Sequence, residues 1–238
     1  LHGATFASYA RLNGPVPVVG IVAGRCFAGN AALLGCSDVI IATRASNIGM
    51  GGPAMVEGGG LGVFKPEQIG PSAVQHGNGV IDILVDDEKE AVAAARHYLS
   101  FFQGPQAEFT APTAQALRDV VPENRLRVYD TRGAMAGIAD VGSLLELRTG
   151  FGNGIHTALA RIEGRPVGLL ANNPLHLGGA IDAEAAGQAH GGCHFQAVGK
   201  RKHRHADAEA VAQRRAKGRH EAGGHFLPCS ICCPRQAS

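Results

Sequence analysis

The stretch VGIVAGRCFAGNAALLGCSDVIIAT (Val19–Thr43) constrains this chain more than any other. The β-branched runs at its two ends read as strands. Between them AGNAALLGCS has the small residues of a helix packed close on a sheet. A strand that turns on glycine into a helix leaves backbone N–H groups without partners at the turn. The fold class is therefore α/β, and the turn is a place where an anionic oxygen can be held.

Elsewhere the patterning is uneven. Glycine occurs 34 times in 238 residues, which calls for many tight turns and close backbone approaches. IGMGGPAMVEGGGLGVF is dense enough in glycine to read as a loop. VIDILV reads as a strand, so Val19, Ile21, Val39, Ile41, Ile81, Ile83 and Val85 are expected in strands. DDEKEAVAAARHYLSFF is the clearest helix, with acids in its first turn and an apolar stripe of Ala91, Val92, Ala95, Leu99 and Phe102. Leu33 is expected to be buried on the short helix after Gly29. A polar, proline-bearing connector follows, then a helix in YDTRGAMAGIAD, the strand SLLELR and a hairpin pair, HTALARI and PVGLLANN.

Composition divides the chain again near residue 187. Acidic residues exceed basic ones through Ala186, whereas the last 52 residues are basic and rich in His and Cys. Cys26 and Cys36, in apolar surroundings, suit a reducing, cytoplasmic setting. No apolar run reaches about 18 residues, so no membrane span is expected. Leu1-His2-Gly3 has neither a Met nor a basic n-region, which reads as no signal peptide and as a chain entered downstream of its start.

The glycine turn excludes some chemistry. Gly24 and Gly29 are spaced as in a phosphate-binding loop, but Asn30 and Ala31 stand where Lys and Ser/Thr would reach phosphate and metal. Gly49-x-Gly51-x-x-Ala54 is a weaker dinucleotide pattern, with Pro53 and more glycine where a helix is required. What remains is the backbone itself: two N–H groups converging on one oxygen stabilise an oxyanion, or the glycines simply permit tight strand–helix packing.

Five blocks in order carry a family resemblance: VPVVGIVAGRCFAGNAALLGCSDVIIAT, NIGMGGPAMVEGGGLGV, NGVIDILVDDEKEAV, PENRLRVYDTR and GRPVGLLANNPLHLGGAIDAEAA. Over roughly residues 10–186 the chain resembles the β-type carboxyltransferase subunits of biotin-dependent acyl-CoA carboxylases, such as those acting on acetyl-, propionyl- and methylcrotonyl-CoA. The resemblance implies a crotonase-like spiral of ββα units. It places a nearly complete N-terminal domain at 1–110, a linker at 111–124 and the start of a second domain at 125–186. It implies that the N–H groups of Ala28 and Gly29 hold the thioester oxygen of a short acyl-CoA as its enolate forms. Phe27, Gly51, Gly52, Pro53, Gly58 and Gly59 would line the acyl-CoA pocket, and Asn172 and Asn173 would open the second half of the site. Carboxybiotin on a separate carrier would deliver the carboxyl group. The implied partners are acyl-CoA, a biotin carboxylase or carrier subunit and further copies of the chain, with no nucleic acid, membrane or metal.

After Ala186 the family pattern stops, and the second glycine turn expected for biotin does not follow. Residues 187–238 read as an out-of-frame or disordered segment that should pack poorly, which would leave this chain inactive alone. Two rival readings remain. One is a biotin-dependent acyl-CoA decarboxylase with the same fold. The other is a non-catalytic fragment whose tail binds an acidic surface through GKRKHRH or zinc through Cys229-x-x-Cys232.

Overall fold

The computed structural model describes residues 3–124 and 126–190. After a short helix, α1 (Gly3–Ala10), the chain runs as two pairs of strands, each followed by a helix, and then a single strand and helix. The first unit is β1 (Val19–Val22), β2 (Arg25–Phe27) and α2 (Gly29–Leu34). The second is β3 (Val39–Thr43), β4 (Asn47–Gly49) and α3 (Pro53–Gly58), then α4 (Ser72–Gly77). The third contributes β5 (Ile83–Val85) and α5 (Glu88–Ser100). The first strands of the units line up in parallel, with Ile21 opposite Ile41 and Ile41 opposite Ile83. The second strands form their own parallel pair, with Phe27 opposite Gly49. The first two units thus each add one strand to each layer, the third adds a strand to the first layer alone, and the helix-opening turns of the first two leave from neighbouring strands.

Val39 and Ile41 are fully buried because β3 is the central strand, covered by α5 through Ala91, Ala95 and Tyr98. Each Å² of apolar surface removed from water stabilises by about 25 cal/mol, so this strip contributes directly to the stability of the layer. α5 starts where Asp87 accepts the Glu90 N–H at 2.8 Å, an N-cap that satisfies one orphan donor. The stripe departs from expectation at one position. Val92 is exposed and Tyr98 is buried in its place, since positions 91, 95 and 98 lie on one helical face and 92 is a sixth of a turn or more away. On α2 the buried leucine is Leu34, not Leu33, which is half-buried. Ile21 is in β1 as expected but faces solvent, because β1 is an edge strand.

Ile81 is buried yet lies outside β5. The cause is Asp82, whose carboxylate accepts the Ile40 N–H at 2.7 Å where a backbone carbonyl would continue the ladder. The glycine-dense stretch also departs from the expected loop. It supplies β4 and α3, the latter because Pro53 fits the first helical position, where no N–H is needed.

The connector carries a short helix, α6 (Ala114–Arg118), and ties into the fold: Val141 N–H donates to Thr110 O at 2.9 Å. Then come α7 (Thr131–Ile138) and an antiparallel sheet of β6 (Leu145–Leu147), β7 (Ile155–Ile162) and β8 (Arg165–Asn172). The β7–β8 hairpin turns on Glu163 and Gly164, both at positive φ. That two-residue turn matches the strand twist. Asp140 holds it by accepting the N–H groups of both residues, at 3.0 and 2.7 Å. Leu147 and Leu159 from this sheet join the same core cluster as Val39 and Ile41.

Residues 183–190 are helical. Poor packing was expected from 187 onward, but Gln188 is buried and its amide donates to Leu147 O at 3.0 Å and Thr157 Oγ1 at 2.8 Å. The helix begun at 183 carries it inward. The rest of the tail, with its basic run and cysteines, lies outside the described residues.

Candidate active site

The β2–α2 turn is strained. Ala28 adopts φ 52° and ψ −122°, a conformation that costs a residue with a Cβ of order 1–3 kcal/mol. Such strain persists only where surrounding bonds fix it. Here the Ala28 N–H donates to Gly49 O at 3.1 Å, extending the β2–β4 ladder by one rung, and Ala28 O accepts the Ala32 N–H at 3.0 Å. This corrects one expectation. Of the two N–H groups read as free donors, that of Ala28 is taken by a carbonyl on the neighbouring strand. The N–H of Gly29, first residue of α2, has no acceptor among the described residues.

The neighbouring strand ends in a second helix-opening turn. After Gly49 the chain passes through Met50 and Gly51 to Gly52, the N-cap of α3, with Pro53 next. The N–H groups of Gly51 and Gly52 also have no acceptor among the described residues. Phe27 joins the two turns: a Cβ on Gly52 would stand 3.6 Å from its ring, and one on Gly49 likewise. Phe27, Gly29, Gly51, Gly52 and Pro53 are therefore gathered at the ends of two parallel strands, the usual place for a ligand in parallel α/β folds. Gly58 and Gly59 are not gathered there. They close the far end of α3, roughly 9 Å along the axis at 1.5 Å per residue.

Buried polar side chains hold both turns. Ser46 Oγ donates to Val22 O at 2.8 Å and accepts the Gly24 N–H at 3.2 Å, with Thr43 Oγ1 2.9 Å away. A hydroxyl has one donor and two acceptor sites, so Ser46 is fully used. Asn47 Nδ2 donates to Glu67 O and Ile69 O at 3.2 and 3.1 Å, and Gln75 Nε2 to Ile48 O at 2.6 Å. Gly70, at φ 53°, is obligatory, since a Cβ would come within 1.8 Å of Ile48 O. None of these residues was singled out from sequence. Ser46 and Asn47 sit in an unremarkable polar stretch, and only the tertiary pairing reveals them.

Two clefts flank this region. One, of about 450 Å³, is apolar and lies along β4 and α3, with Gly49, Gly51, Met55 and Leu61 in its walls. The other, of about 380 Å³, lies against β1 and α2 and includes Arg25, Cys26 and Asn30. Burial pushes the Cys26 thiol up, so it is a poor nucleophile. The apolar cleft takes in Gly49 and Gly51 but neither Ala28 nor Gly29, so the expected cleft is displaced toward α3. A third, of about 400 Å³, sits by His97 and Arg161, but that buried guanidinium is engaged by the carbonyls of Ser100, Gly104 and Gly164.

Residues 1–194 match the carboxyl transferase domain family. The chain belongs to that family. It is 32% identical over 197 residues to the methylmalonyl-CoA carboxyltransferase 12S subunit of Propionibacterium freudenreichii subsp. shermanii, covering 79% of this chain and 38% of that subunit. To the biotin-dependent acetyl-/propionyl-coenzyme A carboxylase beta6 subunit of Mycobacterium tuberculosis it is 31% identical, covering 79% of this chain and 41% of the subunit. A single-chain, multi-domain long-chain acyl-CoA carboxylase superposes with a TM-score of 0.77 at 60% identity, over 79% of this chain and 19% of that one. The transcarboxylase 12S hexamer, solved with hydrolysed methylmalonyl-CoA bound, superposes with a TM-score of 0.68 at 31% identity, over 81% and 39%. The chain spans about two fifths of the length of the curated relatives it matches.

The α/β architecture expected from the sequence is thus found, in the crotonase-like form of these carboxyl transferase neighbours. Asn172 ends β8 in the other sheet and Asn173 follows it. Asn173 is buried, donating through Nδ2 to Asn153 O at 2.8 Å and accepting the Leu175 N–H at 3.1 Å, which makes it a turn holder. Asn172 is exposed, and its carbonyl accepts the Thr131 hydroxyl at 2.8 Å. Among the described residues no group of three His, Cys, Asp or Glu is placed to hold a metal ion, and no helix is long and apolar enough to cross a membrane.

Proposed function

We propose that this chain carries the acyl-CoA half of a biotin-dependent carboxyl-transfer site, with Gly29 and the Gly51–Gly52 turn holding the thioester oxygen as its enolate forms. The observation that carries this reading is the open Gly29 N–H just beyond the strained Ala28 turn. A donor fixed before charge develops needs no reorganisation at the moment of reaction, and each such donor is worth about 3 kcal/mol. Ala28 then shapes the turn and does not itself donate, while Phe27 fixes the spacing of the two turns. Removal of the α-proton puts the electron pair into the enolate, whose carbon attacks the carboxyl carbon. Carboxybiotin on a separate carrier would supply that carboxyl group by breaking its N–C bond to release CO2, and the ureido anion left behind would take the α-proton. No described residue is assigned to biotin.

The same reading divides the chain into an N-terminal unit at 1–110, a connector at 111–124 and the opening of a second unit at 125–186. It also gives the parent enzyme a carrier or biotin carboxylase partner, further copies of itself and a cytoplasmic setting. The test uses a chimeric carboxyltransferase subunit in which residues 3–190 replace the matching segment. Gly29→Pro deletes one donor and is expected to lower kcat about 100-fold or more while KM for acyl-CoA changes far less. Unchanged turnover in a variant shown to fold overturns the assignment.

A further inference from the structure

We propose that the polar cavity between the end of α5, the connector and the turn before β6 binds a neutral planar heterocycle of nucleoside size, held by Arg161, Gln106 and Phe109. The site is separate from the turns at Gly29 and Gly52 and does not depend on the reading of them. α5 leaves the carboxyl end of the strand layer, where those turns lie, and its 13 residues carry the chain about 18 Å to the opposite end.

The cavity measures about 400 Å³, within the roughly 300–1,000 Å³ of small-molecule sites. Its buried wall is charged but balanced. Arg161 is 3% exposed, and its bonds to the carbonyls of Ser100, Gly104 and Gly164 use three of its five N–H groups. The Nε–H and one Nη2–H have no acceptor among the described residues. Asp140 also lines the cavity, and its two oxygens take the N–H groups of Glu163 and Gly164 rather than the guanidinium. A cation and an anion fixed on one residue, Gly164, give this wall a dipole without net charge. Burial lowers the pKa of His97, so its ring adds no charge at pH 7. A charged guest meets a like charge at one end of the dipole, whereas a neutral guest with donors and acceptors finds a partner at both.

The connector supplies the rest. The side chains of Gln106, Glu108 and Thr110 line the cavity and make no hydrogen bond or ion pair among the described residues. The Gln106 carboxamide offers a donor and an acceptor side by side, the pattern that pairs with the edge of a nucleobase. Phe109 is 47% exposed and provides a flat apolar face on which a ring can stack. Glu108 is exposed and places a negative charge at the rim, which disfavours a phosphate there. These side chains stand on fixed backbone: the Gln106 N–H donates to Gly164 O and the Val141 N–H to Thr110 O, both at 2.9 Å.

Calorimetric titration of the full 238-residue chain with adenosine, uridine, AMP and ATP tests this. At least one nucleoside is expected to bind at a single site, and its 5′-phosphates to bind about threefold or more weakly, through repulsion by Glu108. Phe109→Ala is expected to lower nucleoside affinity about fivefold or more and Gln106→Ala about twofold or more. Both remove exposed side chains and leave the connector's backbone bonds in place. Glu108→Gln is expected to leave nucleoside affinity unchanged while narrowing the gap to the monophosphate. Saturating butyryl-CoA is expected to leave nucleoside binding unchanged. Neither nucleoside binding overturns the inference, and so does binding that survives Phe109→Ala and Gln106→Ala or that butyryl-CoA displaces, because the ligand then sits elsewhere. ATP binding more tightly than either nucleoside overturns it as well, since the site then selects an anion.

Discussion

Arg148 Nε donates to Asp82 Oδ1 at 2.6 Å, and the Arg148 N–H donates to Asp82 O at 2.7 Å. This double link fastens the β6–β7 segment to the strand layer that carries the turns. Asp82 is nearly inaccessible, and burial outweighs the pull of Arg148, raising its carboxyl above the usual range. Removing the cation leaves a buried, uncompensated carboxyl. Arg148→Ala is expected to cost about 3–5 kcal/mol in urea unfolding, with the Asp82→Ala, Arg148→Ala double variant losing less than the two singles together. Additive losses contradict the coupling.

Ala28 offers a test of strain that needs no ligand. At φ 52°, glycine adopts the turn without a Cβ clash. Ala28→Gly is expected to leave stability equal or raise it by about 1 kcal/mol, the relieved strain exceeding the added chain entropy. Ala28→Val is expected to destabilise by 2 kcal/mol or more, on the order of the strain of a β-branched residue there. A glycine variant clearly less stable by thermal melting shows the turn to be relaxed.

Burial of Leu34 against Val22, Ala42 and Ile48 sets up a pair of neighbouring substitutions with opposite outcomes. Leu34→Ala is expected to lose about 2–5 kcal/mol through the cavity it leaves. Leu33→Asp, at the half-buried position, is expected to fold. Equal damage at both positions means the helix is rotated from the orientation described.

Stability is expected to fall as the solution is acidified. Burial lowers the pKa of His76, His97 and His156 below the ordinary 6.5. His156, nearly inaccessible, stands 3.2 Å from Glu146 and 4.0 Å from Asp130, but burial and the nearby Arg132 outweigh both carboxylates. The folded chain keeps these rings neutral while the unfolded chain takes up protons near pH 6.5. Stability is full above that value and is lost as pH drops through the interval between unfolded and folded pKa values. Urea midpoints measured from pH 7.5 to 5 in His156→Gln should show a shallower slope than in the parent. An unchanged slope assigns the loss to other groups.

Where periodicity is strong and local, the sequence was readable. α5 announces itself through Asp87 and its apolar spacing, and the β7–β8 hairpin through two β-rich runs around Glu163–Gly164. The strand–turn–helix at Gly29 was legible for the same reason. What escaped depends on partners distant in sequence. Nothing near Ala28 signals that its N–H meets Gly49, and nothing near Ile81 signals that the Asp82 carboxylate interrupts a strand. α3 was hidden because its helical signal is six residues set among glycines. The Ser46 and Asn47 supports are visible only once the loops they join are folded together.

The central claim is that the Gly29 N–H receives a thioester oxygen. Amide proton–nitrogen spectra of the labelled chain test it most directly, comparing titration with an acyl-CoA thioester and with the matching thioether, which lacks the carbonyl oxygen. The account predicts a downfield shift of the Gly29 amide with the thioester, absent with the thioether, while the Ala28 amide, held by Gly49, moves little in either. A Gly29 amide that responds identically to both ligands, or to neither while other residues report binding, contradicts it.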